Sequence, residues 1–185
     1  MGMDGLVRSV PAGVENLRND LMRSGRPLPE RRVLSVGLGL CAALRTLYAK
    51  TDYALHGDLS SSRLYLTQED EVYLLLPSHG VSGDPLPPEG YCAPEIYGFR
   101  ADRRTDIYGV GATLWAALAG VDPPFTFPLP DVRTVRPDTS DELADIINRC
   151  CRLLADERYQ TVDELEVALQ SCAVSHGALR ARGLI

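Results

Sequence analysis

One apolar helix constrains the fold of this chain more than any other part of the sequence. Its apolar residues recur at helical spacing and are Ile107, Val110, Leu114 and Leu118. Ala112, Trp115 and Ala116 fill other faces, and Gly120 with the residues 122–124 (Asp-Pro-Pro) ends the run. A helix that is apolar on most sides belongs at the centre of a core. We therefore predict a mainly α protein built around this helix.

The residues beside this helix resemble motifs of the eukaryotic-type protein kinase family. Ala93-Pro94-Glu95 is similar to the APE motif that ends the activation segment, and residues 106–111 (DIYGVG) resemble the DxxxxG start of the large helix in the C-terminal lobe. Trp115 and the Pro-Pro-Phe at 123–125 follow at the family's distances. The resemblance implies a kinase-like C-terminal lobe with a central buried helix.

Two further segments carry the same resemblance. Residues 56–66 (HGDLSSSRLYL) resemble the catalytic loop HRDLKxxN leading into a strand, and residues 72–76 form a β-rich returning strand. These segments predict a small β-hairpin at the catalytic loop. Residues 156–159 (DERY) resemble the family's DPxxRY motif.

The resemblance covers nearly all 185 residues, but only as a C-lobe. Residues 1–13 match the end of the hinge, residues 1–172 match the lobe, and residues 173–185 form a C-terminal tail. The glycine-rich loop, the lysine-bearing strand and the partner-glutamate helix have no counterpart, so we expect the N-lobe to be absent.

The catalytic positions depart from the family. Phosphoryl transfer needs a lysine on the phosphates, Mg²⁺ held by an Asp and an Asn, and an Asp that accepts the hydroxyl proton. The resemblance implies that Asp58 matches the base, whereas Arg63 stands at the Asn position and Ser78, of the triplet Ser78-His79-Gly80, at the metal-binding Asp position. Neither replacement supplies negative charge for a hard cation. The sequence predicts a pseudokinase with no active catalytic residue, no cofactor and no ATP binding.

We hypothesise that Arg63 pairs with Asp58 and takes over the role of the missing cation. The alternative is that both side chains face water, where such a pair is worth about 0 to 1 kcal/mol. His56 and His79 match positions where the family stacks a regulatory spine. They lack a third ligand, so we predict no metal site.

Three residues have structural roles by the same resemblance. Glu95 and Arg158 match a buried ion pair that ties the activation segment to the last helices, and Asp106 matches the residue that receives backbone N–H groups of the catalytic loop.

Two classes of function follow from these residues. The first is a non-catalytic interaction or regulatory scaffold, in which Leu64, Tyr65 and Leu66 lack their N-lobe roof and present an apolar patch to a protein partner. That partner is a true kinase, its substrate or a second copy of this chain. The alternative is a minimal or split Ser/Thr protein kinase whose N-lobe comes from a partner chain, with Asp58 as base. From the lost metal ligands we predict the first, a protein that is not an enzyme.

Composition excludes other classes. The net charge of −6 and scattered Lys and Arg residues argue against nucleic acid. The longest uncharged run, residues 33–44, is shorter than the ~20 residues that span a bilayer, so we predict no membrane contact. The five cysteines lack CxxC spacing and no secretory signal is present, which predicts reduced thiols and a cytoplasmic location.

Local signals predict details of the other helices. Pro29 and Glu30 begin a long helix, in which Gly37 and Gly39 predict close approach of another backbone. Capping boxes at residues 139–142 and 161–164 predict the starts of two more helices.

Overall fold

The computed structural model describes residues 6–7, 10, 12–50, 55–68, 71–76, 88–98 and 100–181. Its helices are α1 (Leu17–Ser24), α2 (Glu30–Lys50), α3 (Arg103–Ala119), α4 (Asp141–Cys150) and α5 (Val162–Ala181). Its strands are β1 (Leu6–Val7), β2 (Leu64–Leu66) and β3 (Val72–Leu75). Short 3₁₀ turns lie at Glu89–Tyr91, Pro94–Gly98, Val132–Thr134 and Ala155–Glu157. The predicted mainly α fold with a small hairpin is confirmed.

Helix α3 is the central element, as its apolar pattern predicts. Every residue from Thr105 to Leu118 is buried. Asp102 caps its first turn in a capping box with Thr105, and Gly120, at φ 77°, ends it in the left-handed conformation that glycine adopts without strain.

Helix α2 packs between α3, α5 and the sheet. A Cβ atom on Gly39 would lie 2.6 Å from Cβ of Val72, and one on Gly37 would lie 2.9 Å from Cδ1 of Leu169. The close approach predicted at these glycines is therefore real. The partners are the side chains of β3 and α5 rather than a backbone.

The strands form one small sheet in the order β1-β3-β2. Strand β1 runs parallel to β3, and β2 pairs antiparallel with β3 in the register Leu64↔Leu74 and Leu66↔Val72. Leu64 is fully buried, so it belongs to the core and not to the predicted interaction patch. Tyr65 and Leu66 are partly exposed.

Two helix starts differ from the capping boxes predicted by sequence. At α4 the N-cap residue is Ser140 rather than Thr139, and its side chain makes no capping bond to the helix. Its backbone N–H and its hydroxyl donate instead to Oε1 and Oε2 of Glu30 at 2.7 and 2.8 Å. At α5 the N–H of Glu164 donates to Thr161 Oγ1 as predicted, but the Glu164 carboxylate accepts from the N–H of Gln160. Helix α5 then runs on to residue 181, across the predicted boundary at residue 173.

Helix α2 is also long and apolar enough, by length and composition alone, to cross a membrane. In this fold 56% of the relevant window is buried against other elements, as in the core helix of a globular lobe, so one such helix is weak grounds for a membrane protein. The cytoplasmic location stays a prediction.

Candidate active site

The loop that resembles a catalytic loop, residues 56–63, is held in place by an aspartate of helix α3. Asp106, which is 1% exposed, accepts hydrogen bonds from the backbone N–H groups of His56 and Gly57 at 2.6 and 2.7 Å. The hydroxyl of Tyr48, near the end of α2, donates to the same carboxylate at 2.7 Å. The predicted contact between Asp106 and the loop backbone is confirmed, and it fixes the conformation of the residues that lead to Asp58.

His56 connects the loop to the sheet. It is fully buried, with Nε2 3.0 Å from the carbonyl oxygen of Leu75 and Nδ1 accepting from the N–H of Asp58 at 3.2 Å. A carbonyl can only accept, so the proton is on Nε2. The other predicted spine residue, His79, lies outside the described residues, as do Ser78 and Gly80.

Asp58 and Arg63 form the predicted ion pair. Nε of Arg63 donates to Oδ2 of Asp58 at 2.6 Å, and Nη2 lies 2.6 Å from the same oxygen. Their side chains are 23% and 12% exposed for Arg63 and Asp58, so the alternative in which both face water is wrong. The carbonyl of Arg63 accepts from the N–H of Leu75 at 3.0 Å, which ties the start of the hairpin to β3.

The kinase resemblance implies Mg²⁺, but the described part of the site does not fit it. Mg²⁺ requires oxygen ligands, whereas the guanidinium at Arg63 offers five donors and no acceptor. The Arg63 guanidinium also donates to the Asp58 carboxylate, so that carboxylate already has a positively charged partner. We therefore assign these residues no role that depends on a metal.

The Glu95–Arg158 pair is the second predicted contact that the structure confirms. Nη1 and Nη2 of Arg158 donate to Oε1 and Oε2 of Glu95 at 2.6 and 2.8 Å, and Thr105 Oγ1 donates to Oε1 at 2.9 Å. The Arg158 side chain is fully buried. Burial acts to raise the pKa of Glu95, but hydrogen bonds from Arg158 and Thr105 outweigh it, so the pKa lies below its ordinary value.

A polar cluster beside the catalytic loop was not predicted. The hydroxyl oxygen of Tyr91 lies 2.7 Å from Asp122 Oδ1 and 2.7 Å from Ser61 Oγ, and Arg18 Nε contacts Asp122 Oδ2 at 2.8 Å. The cluster joins α1, the catalytic loop, the segment before Glu95 and the end of α3. Its members are far apart in sequence and share no motif, so only the folded chain reveals it.

Three exposed aromatic rings lie near the Pro94–Gly98 turn. The ring centroids of Tyr97 and Phe125 are 6.3 Å apart, and those of Phe125 and Phe127 are 5.7 Å apart. The three residues are 48%, 50% and 38% exposed. They form an apolar surface on the side of the molecule where the segment carrying Glu95 ends.

Comparison with known proteins agrees with this geometry. The chain is 27% identical over 178 residues to the probable serine/threonine-protein kinase SCO3848 of Streptomyces coelicolor, covering 83% of this chain and 26% of that protein. It is 30% identical over 144 residues to the tyrosine-protein kinase MasK of Myxococcus xanthus, covering 66% of this chain and 22% of that protein. No protein-family model matches it.

The fold is also found among solved structures. The kinase domain of Mycobacterium tuberculosis PknI superposes with a TM-score of 0.69 at 25% identity, covering 85% of this chain and 62% of that domain. The chain thus spans about a quarter of its curated relatives and less than two thirds of a solved kinase domain.

These comparisons correct one prediction. From the lost metal ligands we predicted a protein that is not an enzyme, but the curated relatives are named serine/threonine or tyrosine kinases and the structural neighbours are kinase domains. The proteins that this chain is similar to are thus kinase enzymes, and the prediction of a protein that is not an enzyme is wrong. The prediction rested on the two replaced metal ligands, whereas the similarity to kinases extends over most of the chain.

Proposed function

We propose that this chain, which has the protein-kinase fold over most of its length, is the half of a Ser/Thr protein kinase that carries the catalytic loop. The phosphate-binding lobe is supplied from outside these 185 residues, by a partner chain. The observation that carries this proposal is the placement of Asp58, on a loop that Asp106 and His56 hold to α3 and β3.

In this proposal Asp58 accepts the proton of the substrate hydroxyl. In protein kinases the catalytic-loop Asp has this task, and most of the rate enhancement comes from positioning and charge stabilisation. Asp58 is 9% exposed, and its backbone N–H is fixed by Nδ1 of His56, so its position is set before a substrate arrives. Such preorganisation is what a general base requires.

Arg63 has two tasks. It holds the Asp58 carboxylate in one orientation through its Nε and Nη2 groups. Its guanidinium also brings a fixed positive charge to the position where the family has a metal-binding Asn. Because Nε and Nη2 are used by Asp58, Arg63 acts on the transferred group through its charge and not as a paired phosphate donor.

The partner lobe covers the sheet, and the substrate lies on the aromatic surface. Tyr65 and Leu66 are partly exposed on the β2–β3 hairpin, where a kinase N-lobe would close over the loop. Tyr97, Phe125 and Phe127 offer an apolar platform beside the Pro94–Gly98 turn for residues that follow the substrate hydroxyl.

The test uses the chain together with whatever partner it has in its own cells. Tagged wild-type chain, Asp58→Asn and the control Asp163→Asn are isolated under native conditions and incubated with γ-labelled ATP and a generic protein acceptor. Asp163 is an exposed carboxylate on α5, outside the catalytic loop, so the control changes the same chemical group without touching the site.

We expect label transfer by the wild-type complex and by Asp163→Asn, and at least a hundredfold loss in Asp58→Asn, the lower range for removing a general base. Equal transfer by Asp58→Asn would assign the activity to another kinase in the preparation. Absence of transfer in the wild type, with the protein folded by circular dichroism, would also overturn the proposal.

A further inference from the structure

A cluster of metal-ligating side chains lies at the end of the molecule away from the catalytic loop. Cys172 and His176 are one helical turn apart on α5, Glu142 comes from the first turn of α4, and Glu30 begins α2. The catalytic loop follows the other end of α2, and a helix of 21 residues is about 30 Å long. The cluster is therefore separate from the site described above.

The spacing of the donor atoms suits a tetrahedral ion. The ligand atoms of Glu142, Cys172 and His176 all lie within 4.8 Å of one another, and Sγ of Cys172 is 3.6 Å from Nδ1 of His176. Zn–S and Zn–N bonds of about 2.3 and 2.0 Å at a tetrahedral angle place the two ligand atoms about 3.5 Å apart. The pair is already at coordination distance from a shared ion.

The second ring nitrogen of His176 has the partner that metal sites require. Nε2 lies 2.6 Å from Oε2 of Glu30, and Ser140 holds that carboxylate through its N–H and its hydroxyl. A metal-ligating histidine usually donates its other N–H to such a carboxylate, which fixes the tautomer and leaves the free lone pair for the ion. In this arrangement Nδ1 is the nitrogen that can turn to the ion, once it gives up its contact with the carbonyl oxygen of Cys172 at 2.9 Å.

We propose that Cys172, His176 and Glu142 bind a divalent transition-metal ion of the zinc class, with Glu30 as the orienting carboxylate. Water completes the four-coordinate shell, since three protein ligands leave one position open. The ion would fasten the C-terminal half of α5 to α4 and α2. This inference goes beyond the proposed kinase function and departs from our prediction of no metal site, which considered only His56 and His79.

Without an ion, the same side chains are in contact with one another. Burial, with the nearby carboxylates of Glu142 and Glu30, raises the pKa of the Cys172 thiol to about 12. Nδ1 of His176 lies 2.9 Å from the carbonyl oxygen of Cys172. Coordination exchanges these contacts for the ion, and the thiol proton of Cys172 and the Nδ1 proton of His176 both pass to solvent.

An ion can reach the cluster from the surface. A cleft of about 560 Å³ is bordered by Glu30, Ser140, Ala173, His176 and Gly177. His176 is 20% exposed on its side chain, and Glu142 is exposed. The buried thiol of Cys172 thus lies beside solvent-accessible ligands, His176 and Glu142, past which water and a cation can reach it.

Cobalt titration tests the site, because Co²⁺ takes the same ligands as Zn²⁺ and gives a thiolate charge-transfer band. The purified chain, Cys172→Ser, Glu30→Gln and the control Cys41→Ser are titrated, and Zn²⁺ affinity is then measured by displacement of Co²⁺. Cys41 is a buried thiol on α2 that is not part of this cluster, so its variant has the same chemical change in a different place.

We expect one Co²⁺ per chain with a thiolate band in the wild type and in Cys41→Ser, and no band in Cys172→Ser. Loss of the orienting carboxylate in Glu30→Gln should weaken binding about 10- to 100-fold. A wild-type protein that is folded by circular dichroism yet gives no band overturns the proposal. A band that persists in Cys172→Ser overturns it as well, because the ion would then use another thiol.

Discussion

At the scale of single residues, two ion pairs carry the most information. Asp58–Arg63 lies in the catalytic loop and is partly accessible, whereas Glu95–Arg158 is bidentate and its guanidinium is fully buried. Their different burial predicts different costs when one partner is removed, because a stranded charge is more costly where water cannot reach it.

Arg63→Asn should lower the free energy of unfolding by about 1.5 to 3 kcal/mol, the range for lost hydrogen bonds to a charged group. Urea denaturation at neutral pH measures it. The control is Arg23→Asn, because Arg23 is 67% exposed and pairs with Glu15 and Asp20. Its cost should stay within about 1 kcal/mol, as for other surface pairs. Equal costs in the two variants would contradict the importance given to the Asp58–Arg63 contact.

Glu95→Gln should cost about 3 to 5 kcal/mol, since it leaves the Arg158 cation buried without its counterion. Because the folded-state pKa of Glu95 is lowered from 4.5, the unfolded chain takes up this proton first as the pH falls. The contribution is therefore complete above that value and is lost below it. Urea denaturation of the wild type should show this acid loss, and Glu95→Gln should show a flatter profile. The double variant with Arg158→Met should recover stability; a further loss would contradict the stranded-charge explanation.

At the scale of elements, packing is set by small residues where helices meet strands. Gly39 of α2 lies against Val72 of β3 with no room for a methyl group. The sequence predicted such contacts at Gly37 and Gly39 from their helix-breaking cost, but not which element they meet.

Gly39→Ala should destabilise the protein by about 1 to 3 kcal/mol, because overpacking outweighs the helix propensity gained. Thermal or urea unfolding measures it, with Gly177→Ala as the matched helical glycine, since a Cβ there meets nothing within 4 Å. That control should be neutral or stabilising by up to about 1 kcal/mol. Relief of the cost in the double variant with Val72→Ala would identify the contact; no difference between the two single variants would contradict it.

Local signals predicted the elements better than their junctions. Helix α3 followed from its apolar pattern, and the hairpin from the resemblance of residues 56–66 to a catalytic loop and the β-rich residues 72–76. The start of α4 did not, since its N-cap residue Ser140 donates to Glu30 of α2, a contact between distant segments that no local pattern shows. The Asp58–Arg63 pair was predictable because both residues lie in one loop.

At the scale of the whole molecule, the described elements form one lobe around α3. The sequence predicted this lobe from motifs, but not the Tyr91–Asp122–Ser61 cluster or the cluster around Cys172. Each of these joins three or more segments, and their meeting depends on how the helices pack rather than on local pattern.

ATP should leave the melting temperature of the isolated chain unchanged at millimolar concentration, with or without Mg²⁺. In our proposal the groups that bind phosphate in a kinase belong to the partner lobe. Arg63 of this lobe is paired with Asp58 and does not bind ATP on its own. A ligand at a hundredfold excess over its dissociation constant stabilises a fold by about 2.7 kcal/mol, which a thermal-shift assay detects readily. An upward shift would show that this lobe holds nucleotide without a partner.

Arg158 has a consequence for how the molecule opens. Besides the Glu95 carboxylate, its guanidinium donates to the carbonyls of Arg104, Arg152 and Leu153. One side chain thus joins three segments: the Pro94–Gly98 turn through Glu95, and the start of α3 and residues 152–153 through their backbone carbonyls. Those segments cannot separate one at a time without stranding the same cation. In native-state hydrogen exchange, the amides of the Pro94–Gly98 turn, the start of α3 and the 152–158 loop should therefore exchange together, as a single cooperative unit.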